Sequence, residues 1–236
     1  MTKLDSEKCG CRDLDLLAAV AGAEQEPEFR QVKPGETVWE SAAGDGHLIV
    51  VKVGSVRVYE TAEGSPRARL AHVVGAGHWV GVESIAGVRG NTRVVAAEPT
   101  TVAIIAAKTV FERVASNPSL ARELIRHLAE QNVELSNEIT QMHAHDCTAQ
   151  VALALLRLAR CGGAADDEGT GRVTLRITQQ DVADAVGIAR ETVNAMIQRL
   201  ADSGAIQKQR GRISFDPQVL SRQAASGMAG EAVSRS

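Results

Sequence analysis

Three polar side chains that lie close together in the sequence have the chemistry needed to read DNA bases: Arg190, Glu191 and Asn194. An arginine can donate two hydrogen bonds to guanine O6 and N7, and a carboxylate can accept one from cytosine N4. Residues 177–200 around them have the pattern of a helix-turn-helix, whose second helix presents such side chains to base edges in the major groove. The competing interpretation is an ordinary helical hairpin whose charged residues are solvated.

The residues around this group predict the two helices and the turn between them. Thr178 can cap the first helix, while Asp181, three positions later, returns a carboxylate in a capping box. Ala183 is small where two helices cross closely, and Gly187 allows the sharp turn. Five apolar residues are then predicted to face inward: Val182, Val186, Val193, Ile197 and Leu200.

Basic residues further along predict contacts to the DNA backbone. Lys208, Arg210 and Arg212 lie in residues 205–215, which alternate like a β-hairpin. Cations beside the groove neutralise phosphates and position the protein on the duplex. The predicted DNA-binding residues are therefore Thr178, Gln179, Arg190, Glu191, Thr192, Asn194, Lys208, Arg210 and Arg212.

Cysteines and histidines form a second group with possible chemistry. Cys9 and Cys11 are paired near the N-terminus, and Cys147 follows His143 and His145. Thiolates favour iron-sulfur clusters or zinc, and imidazole can join them. These five residues are therefore candidate ligands of a metal or cluster, although a cysteine placed like Cys147, near a hinge, is more often a small packed residue than a ligand.

Two kinds of element must position these groups. Short segments rich in Val and Ile, separated by Gly and Pro turns, fill residues 29–107 and predict an all-β sandwich or barrel. Examples are residues 47–53, 55–60, 68–74 and 92–97. A second apolar helix is expected over residues 149–160, followed by an exposed loop at 162–171 because that stretch is small and acidic.

A long helix is predicted after Asn117, Pro118 and Ser119, which together form a helix start. About 25 residues would make it roughly 37 Å long, longer than one small barrel needs for cover. Its apolar stripe predicts a parallel pairing across a two-fold axis, although packing on its own barrel is the alternative. The predicted dimerisation residues are Leu120, Leu124, Leu128, Leu135, Ile139 and Met142, and a hinge is expected near Asp146.

The composition fits a globular protein without a membrane segment. Of the 236 residues, 44% are hydrophobic and 23% are charged, which is close to the ordinary average. No run of 18 apolar residues and no signal-peptide pattern occurs, so we expect a cytoplasmic protein that does not bind a membrane. The net charge of −3 does not by itself indicate a nucleic-acid binder.

The order of these elements and three short motifs resemble the Crp/Fnr superfamily of bacterial transcription regulators. The motifs are KPGE at residues 33–36, ITQQD at 177–181 and GIARETV at 187–193. The resemblance implies a homodimer on a near-palindromic operator in double-stranded DNA, with RNA polymerase as a further partner and no enzymatic activity. Many relatives carry an arginine four residues after the motif glutamate, where this chain has Ala195.

The resemblance also implies an α+β fold. It combines an N-terminal cupin-like β-roll of the cyclic-nucleotide-binding type, a long dimerisation helix and a C-terminal winged helix-turn-helix. The expected domains are an N-terminal arm with a short helix at residues 1–28, the β-roll sensor domain at 29–107, the dimerisation helix region at 108–146, the winged helix-turn-helix at 147–222 and a flexible tail at 223–236.

The motifs that hold a cyclic nucleotide in relatives are altered here. Those relatives place a Gly-Glu pair and an Arg-Ser pair around the ribose and phosphate, whereas this chain has GVES at residues 81–84 and GNT at 90–92. Arg89 or Arg93 could hold a phosphate only in a rebuilt loop. A buried phosphate without a fixed cation is poorly compensated, so cyclic AMP is not the expected effector.

Other signals remain open. Oxygen-sensing relatives bind an iron-sulfur cluster through N-terminal cysteines and one cysteine of the β-roll, a position that Ala103 occupies here. A redox signal through an iron-sulfur cluster or thiols is the prediction, with residues 143–147 as further ligand candidates. A small organic effector and a haem held by His72 or His78 are the alternatives.

A cupin-like metalloenzyme is the alternative from another class. Its ligands would be His47, His72, His78 and Glu83. These histidines are scattered over several segments, whereas cupins place them close together on one strand. An enzyme would also leave the helix-turn-helix motif unexplained.

Overall fold

A computed structural model of the chain describes residues 27–41, 46–61, 68–88, 90–142, 146–160, 164–167 and 171–232. The described residues form two compact units, one ending at Asn132 and the other beginning at Val133. Cys9, Cys11, His143 and His145 lie outside the described residues.

The first unit contains a β-roll made of two four-stranded antiparallel sheets. One sheet has the strand order β1-β8-β3-β6 and the other β2-β7-β4-β5. The strands are β1 (Glu28–Val32), β2 (Thr37–Glu40), β3 (His47–Val53), β4 (Ser55–Thr61), β5 (Ala68–Gly75), β6 (Trp79–Val80), β7 (Thr92–Ala96) and β8 (Thr100–Ala106). This confirms the predicted β-roll.

Turn chemistry explains where the strands begin. Between β1 and β2, Pro34 fixes one turn position and Gly35 adopts a φ of 83°, which only glycine reaches without strain. The backbone N–H of Glu36 donates to the Lys33 carbonyl oxygen over 3.1 Å and closes the turn. The KPGE motif therefore positions β2 against β7.

Apolar side chains of the roll and of the helices that follow it share one core. Helix α1 (Val82–Ile85) and helix α2 (Ala107–Ser116) cover one end of the sheet that contains β3 and β8. The buried members of this core are Leu48, Val50, Trp79, Val82, Ile85, Ala103, Ile105, Val110 and Leu120. Ala103, at the position where oxygen-sensing relatives carry a cysteine, is fully buried.

Helix α3 (Pro118–Met142) has the length that the sequence predicts. Its first turn is capped because the Asn117 side-chain oxygen accepts from the Ser119 N–H over 3.1 Å. One predicted dimerisation residue is wrong: Leu120 is fully buried in the core of its own β-roll. Leu124 is half-buried and packs against the same core, and its role in a dimer stays a prediction. Burial of a leucine contributes about 2 kcal/mol, so the first turns of α3 serve their own domain.

Further along α3 the apolar residues are exposed. Leu128 and Leu135 are 47% and 49% exposed, and Ile125 and Val133 are 67% and 60% exposed. Ile139 and Met142 lie in the helix, but their side chains are outside what the structure describes. An exposed row of large apolar side chains on a helix typically marks a contact surface.

The second unit is a three-helix bundle with a four-stranded antiparallel sheet of strand order β11-β12-β10-β9 and a C-terminal helix. Its elements are α4 (Cys147–Arg160), β9 (Ala164–Asp167), β10 (Arg172–Leu175), α5 (Gln179–Val186), α6 (Arg190–Asp202), β11 (Ile206–Gln209), β12 (Arg212–Phe215) and α7 (Pro217–Ala232). Phe215, Leu155, Leu158 and Ile197 are among its fully buried side chains.

One prediction for this unit is wrong. The expected exposed loop at residues 162–171 contains the edge strand β9, whose backbone pairs with β10. Pairing with a distant element thus stabilises a segment whose local composition gives a weak signal. The expected tail from residue 223 is helical up to Ala232, and Leu220 and Ala224 of α7 are buried; the flexibility of the tail stays a prediction.

None of the described helices combines the length and the apolar character that a membrane span needs.

Candidate nucleic-acid interface and sensor domain

The capping box predicted at the start of α5 is present. The Thr178 hydroxyl accepts from the Asp181 N–H over 3.1 Å, and the Asp181 carboxylate accepts from the Thr178 N–H over 2.8 Å. The same carboxylate also accepts from the Thr178 hydroxyl over 2.8 Å. The Thr178 hydroxyl, which is also a predicted DNA contact, is therefore engaged in fixing the helix start.

The turn after α5 sets the position of the second helix. Gly187 ends α5 with a φ of 79°, and its N–H donates to the Ala183 carbonyl oxygen over 2.8 Å. Helix α6 then buries Val193, Ile197 and Leu200, as predicted, together with Met196. Because one face is buried, the residues between these positions point to the opposite face of α6.

That opposite face carries the predicted base-reading residues. Arg190, Glu191 and Asn194 are exposed, and Thr192 is half-buried. Ala195 is also exposed, so the position that holds an arginine in many relatives offers only a methyl group. Helix α6 therefore begins with one cation, one anion and one amide side by side.

A hydrogen-bonded cluster joins this face to its neighbours. The Asn194 Oδ1 accepts from the Gln179 Nε2 over 2.7 Å and from the Lys208 Nζ over 3.3 Å. Gln179 belongs to α5 and Lys208 to β11. The three predicted DNA-binding residues therefore come together from three different elements.

The predicted hairpin is confirmed and forms a wing beside α6. Strands β11 and β12 pair antiparallel from Gln209 opposite Arg212, which leaves Arg210 and Gly211 as a two-residue turn. The Ile177 N–H donates to the Gly211 carbonyl oxygen over 3.1 Å and so ties the wing tip to the segment before α5. Arg210 and Arg212 are exposed.

Removing the capping carboxylate is expected to destabilise the second unit. Asp181→Ala removes the acceptor from the buried end of α5, and loss of a capping contact costs about 1–2 kcal/mol. The free energy of unfolding is measured by urea denaturation followed by circular dichroism. Asp184→Ala is the matched control, because the side-chain contact of Asp184 in the described part of the chain is an exposed one to Gln180 on the same helix. Equal losses in the two variants would contradict the capping role.

In the β-roll, residues 90–92, which correspond by the sequence analysis to the Arg-Ser motif of cyclic-nucleotide-binding relatives, are Gly, Asn and Thr. A Cβ atom at Gly90 would meet the Thr92 Oγ1 at 3.3 Å, the Glu83 Cγ at 3.6 Å and the Ser41 Oγ at 3.7 Å. Arg93 does not replace the missing cation, because it is exposed, alternates with the buried Val94 and lies 5.6 Å from the Tyr59 ring centroid. Arg89, the other candidate, lies outside the described residues.

A buried histidine that the sequence reasoning missed lies between α3 and the roll. His127 is 4% exposed, and its ring centroid is 4.2 Å from that of Trp79. Neither the His127 Nδ1 nor the Trp79 Nε1 has a hydrogen-bond partner within the described part of the chain. Burial, and then the neighbouring His72, His78 and Arg126, lower the pKa of His127 to about 4. The sequence could have indicated this burial, because His127 lies on the same face of the helix as Leu120 and Leu124.

Of the five candidate metal ligands, Cys147 lies within the described residues. Cys147 is exposed with a free thiol at the start of α4. Among the described residues, no three His, Cys, Asp or Glu side chains come together in a way that could hold a metal ion. His47, His72, His78 and Glu83 therefore do not form the cupin-like site considered as an alternative.

Comparisons with known proteins agree with the two units. A model of the cyclic nucleotide-binding domain family matches residues 29–117, and a model of the Crp-like helix-turn-helix domain family matches residues 149–222. Together they match more than half of the chain.

Individual relatives are transcription regulators as well. The chain is 28% identical over 193 residues to the CRP-like cAMP-activated global transcriptional regulator of Mycobacterium tuberculosis, covering 80% of this chain and 85% of the relative. It is 33% identical over 99 residues to the transcriptional regulator SdrP of Thermus thermophilus, covering 42% and 48%. The crystal structure of a CRP/FNR-family regulator from Thermus thermophilus matches with a TM-score of 0.65 and 27% identity, covering 85% of this chain and 100% of the other.

A roll of the cyclic-nucleotide-binding type followed by a winged helix-turn-helix defines a DNA-binding transcription regulator. Regulators of this kind bind DNA as dimers and are not enzymes. The chain belongs to the Crp/Fnr superfamily, as the sequence motifs predict.

Proposed function

We propose that the protein is a homodimeric, sequence-specific regulator of transcription that binds a near-palindromic operator in double-stranded DNA. The observation that carries this proposal is the joining of α5, α6 and the wing through the contacts of Asn194 with Gln179 and Lys208. Exposed Arg190 and Glu191 lie at the start of the same helix. A recognition helix inserted by its first turns would bring these side chains to base edges.

Contacts to the sugar-phosphate backbone of the DNA complete the proposed interface. Lys208, Arg210 and Arg212 of the wing would neutralise phosphates beside the groove, and Thr192 would contact a sugar or phosphate. Thr178 can contribute only through atoms that its capping contacts leave free. Each phosphate contact raises affinity without reading sequence, so the base preference rests on α6.

The proposed dimer forms through the exposed part of α3. Support comes from the large exposed side chains Ile125, Leu128 and Leu135, which follow the buried Leu120 and lie on one face of the helix. In such a dimer on a near-palindromic operator, the two recognition helices would lie in successive major grooves, about 34 Å apart. RNA polymerase is the proposed further partner at promoters. The proposed location is the cytoplasm, because a bacterial regulator binds its operator there.

Selection from a random library of duplex DNA tests this proposal. The expected result is a two-fold symmetric motif with half-sites one helical turn apart, bound with strong salt dependence. Binding to the selected duplex is then measured by fluorescence anisotropy with a scrambled duplex as competitor. Equal affinity for selected and scrambled DNA would overturn the sequence-specific function.

Arg190→Ala is expected to weaken operator binding by roughly 1–3 kcal/mol and to relax specificity at one base pair per half-site. The reason is the loss of a bidentate contact to guanine. Arg199→Ala is the matched control, because Arg199 is exposed near the end of the same helix, away from its first turns. If Arg190→Ala lowers affinity equally for every sequence, Arg190 contacts phosphate instead.

We further propose that the roll responds to a signal other than cyclic AMP. Gly90 lacks a phosphate-binding side chain and Arg93 contacts Tyr59, which supports this proposal. Isothermal titration with cyclic AMP is expected to give no binding at micromolar concentration. A micromolar Kd, with tighter operator binding in its presence, would contradict it.

We propose a redox signal, with a small organic effector as the alternative. The candidate ligands of an iron-sulfur cluster are Cys9, Cys11, Cys147, His143 and His145. Without a cluster, the cysteines would respond as thiols. The Cys147 thiol is exposed, which supports its access to oxidants. Protein purified without oxygen is examined by visible absorption with iron and sulfide analysis, then exposed to air. Stoichiometric iron and a visible absorbance that bleaches in air support a cluster. A colourless, iron-free protein whose affinity for DNA does not change on oxidation excludes the redox signal.

A further inference from the structure

The amide of Asn194 is held in one orientation. Its Oδ1 accepts hydrogen bonds from the Gln179 Nε2 and the Lys208 Nζ, at 2.7 Å and 3.3 Å. Lysine can only donate, so the atom of Asn194 that faces Lys208 must be the oxygen. The usual ambiguity between the oxygen and nitrogen of an amide does not arise here.

Both acceptor positions of the Asn194 oxygen are filled by these two contacts. An amide oxygen has two lone pairs, and Gln179 and Lys208 each occupy one. The Nδ2 group retains its two N–H donors, and within the described residues it makes no hydrogen bond. Since Asn194 is exposed on the outer face of α6, these donors are available to DNA.

We infer that Asn194 is a specificity-determining residue that acts only as a donor and reads the acceptor edge of guanine, not adenine. The inference rests on the proposed DNA-binding function and adds the base that this position selects. Adenine is normally read by an asparagine that accepts from N6 and donates to N7 at once. Here the oxygen is occupied, so the N6 donor of adenine would face no acceptor, whereas guanine offers O6 and N7 to the two N–H donors.

Gln179 and Lys208 are the positioning residues in this arrangement. They act through Asn194, because removing them frees its oxygen and restores a side chain that both donates and accepts. The base preference at this position is expected to change by about 5- to 150-fold, the range for one good bidentate contact.

The experiment is selection from a random duplex library by the full chain and its variants, with sequencing of the enriched DNA. The wild type is expected to select guanine at one position per half-site, and Asn194→Ala is expected to lose preference there alone. Asn194→Asp keeps the shape but replaces the donor by an acceptor, so it is expected to prefer cytosine or adenine at that position. The double variant Gln179→Leu, Lys208→Met is expected to gain adenine there.

Arg210→Met is the matched control for the loss of a wing cation. Arg210 is exposed at the wing turn and makes no contact with Asn194, so this variant is expected to bind more weakly with an unchanged motif. Adenine at the Asn194-dependent position of the wild-type motif would overturn the inference, as would an unchanged preference in the double variant. A motif that is identical for wild type and Asn194→Ala overturns it too. The absence of any motif would instead overturn the proposed function.

Discussion

A variant with Leu128→Asp and Leu135→Asp is expected to be monomeric and to lose binding to a full operator. Each leucine is about half exposed in the single chain, and burial against a partner helix would contribute about 1.5–3 kcal/mol per side chain. A symmetric dimer loses four such side chains and gains four charges at its interface. Sedimentation velocity gives the oligomeric state, and fluorescence anisotropy gives operator affinity.

The control places the same two charges on exposed apolar residues outside α3. Val53→Asp and Val219→Asp change residues that are 57% and 36% exposed on β3 and α7. This control is expected to remain dimeric and to bind the operator. If the α3 variant also remained a dimer with normal operator affinity, the assignment of α3 as the dimer interface would be wrong.

The β-roll is expected to lose stability as the pH falls from about 6.5 to about 4. His127 has a pKa of about 4 when folded and an ordinary value of 6.5 when unfolded, so between these values the unfolded chain binds more protons. The free energy of unfolding therefore decreases as the pH falls through this window and levels off below it. The loss is at most about 3 kcal/mol.

Tryptophan fluorescence is suited to this measurement. The chain has two tryptophans, Trp39 and Trp79, and both belong to the first unit, so urea denaturation followed by fluorescence reports on the roll. His127→Leu removes the buried titrating group and is expected to flatten the pH dependence. If His127→Leu kept the full wild-type loss between pH 6.5 and 4, another group would be responsible.

Much of the fold follows from local signals. The helix start at Asn117, the capping box of Thr178 and Asp181, and the αL position at Gly187 depend on neighbouring residues only, and all are present in the structure. Strand β9 depends on pairing with the distant strand β10, so its composition gave little indication.

The sites show the same division. The exposed first turn of α6 follows from its apolar periodicity, since the buried face defines the outer one. The contact of Lys208 with Asn194 depends on how the wing folds back on the helix. On α3, periodicity identifies the apolar face but does not predict which of its residues are buried in the single chain. Leu120 is buried in its own roll and Leu128 is exposed, and this difference depends on tertiary structure.

Helix α3 thus begins inside the core of the roll and continues with an exposed face. Leu120 and His127 pack in the roll, whereas Leu128 and Leu135 are open to a partner. A ligand that alters the packing of the first turns and thereby raises operator affinity by some factor must itself be bound more tightly, by the same factor, once the operator is present. Operator DNA would then act as an effector of the sensor domain, so a titration of the signal with and without DNA measures their coupling free energy directly.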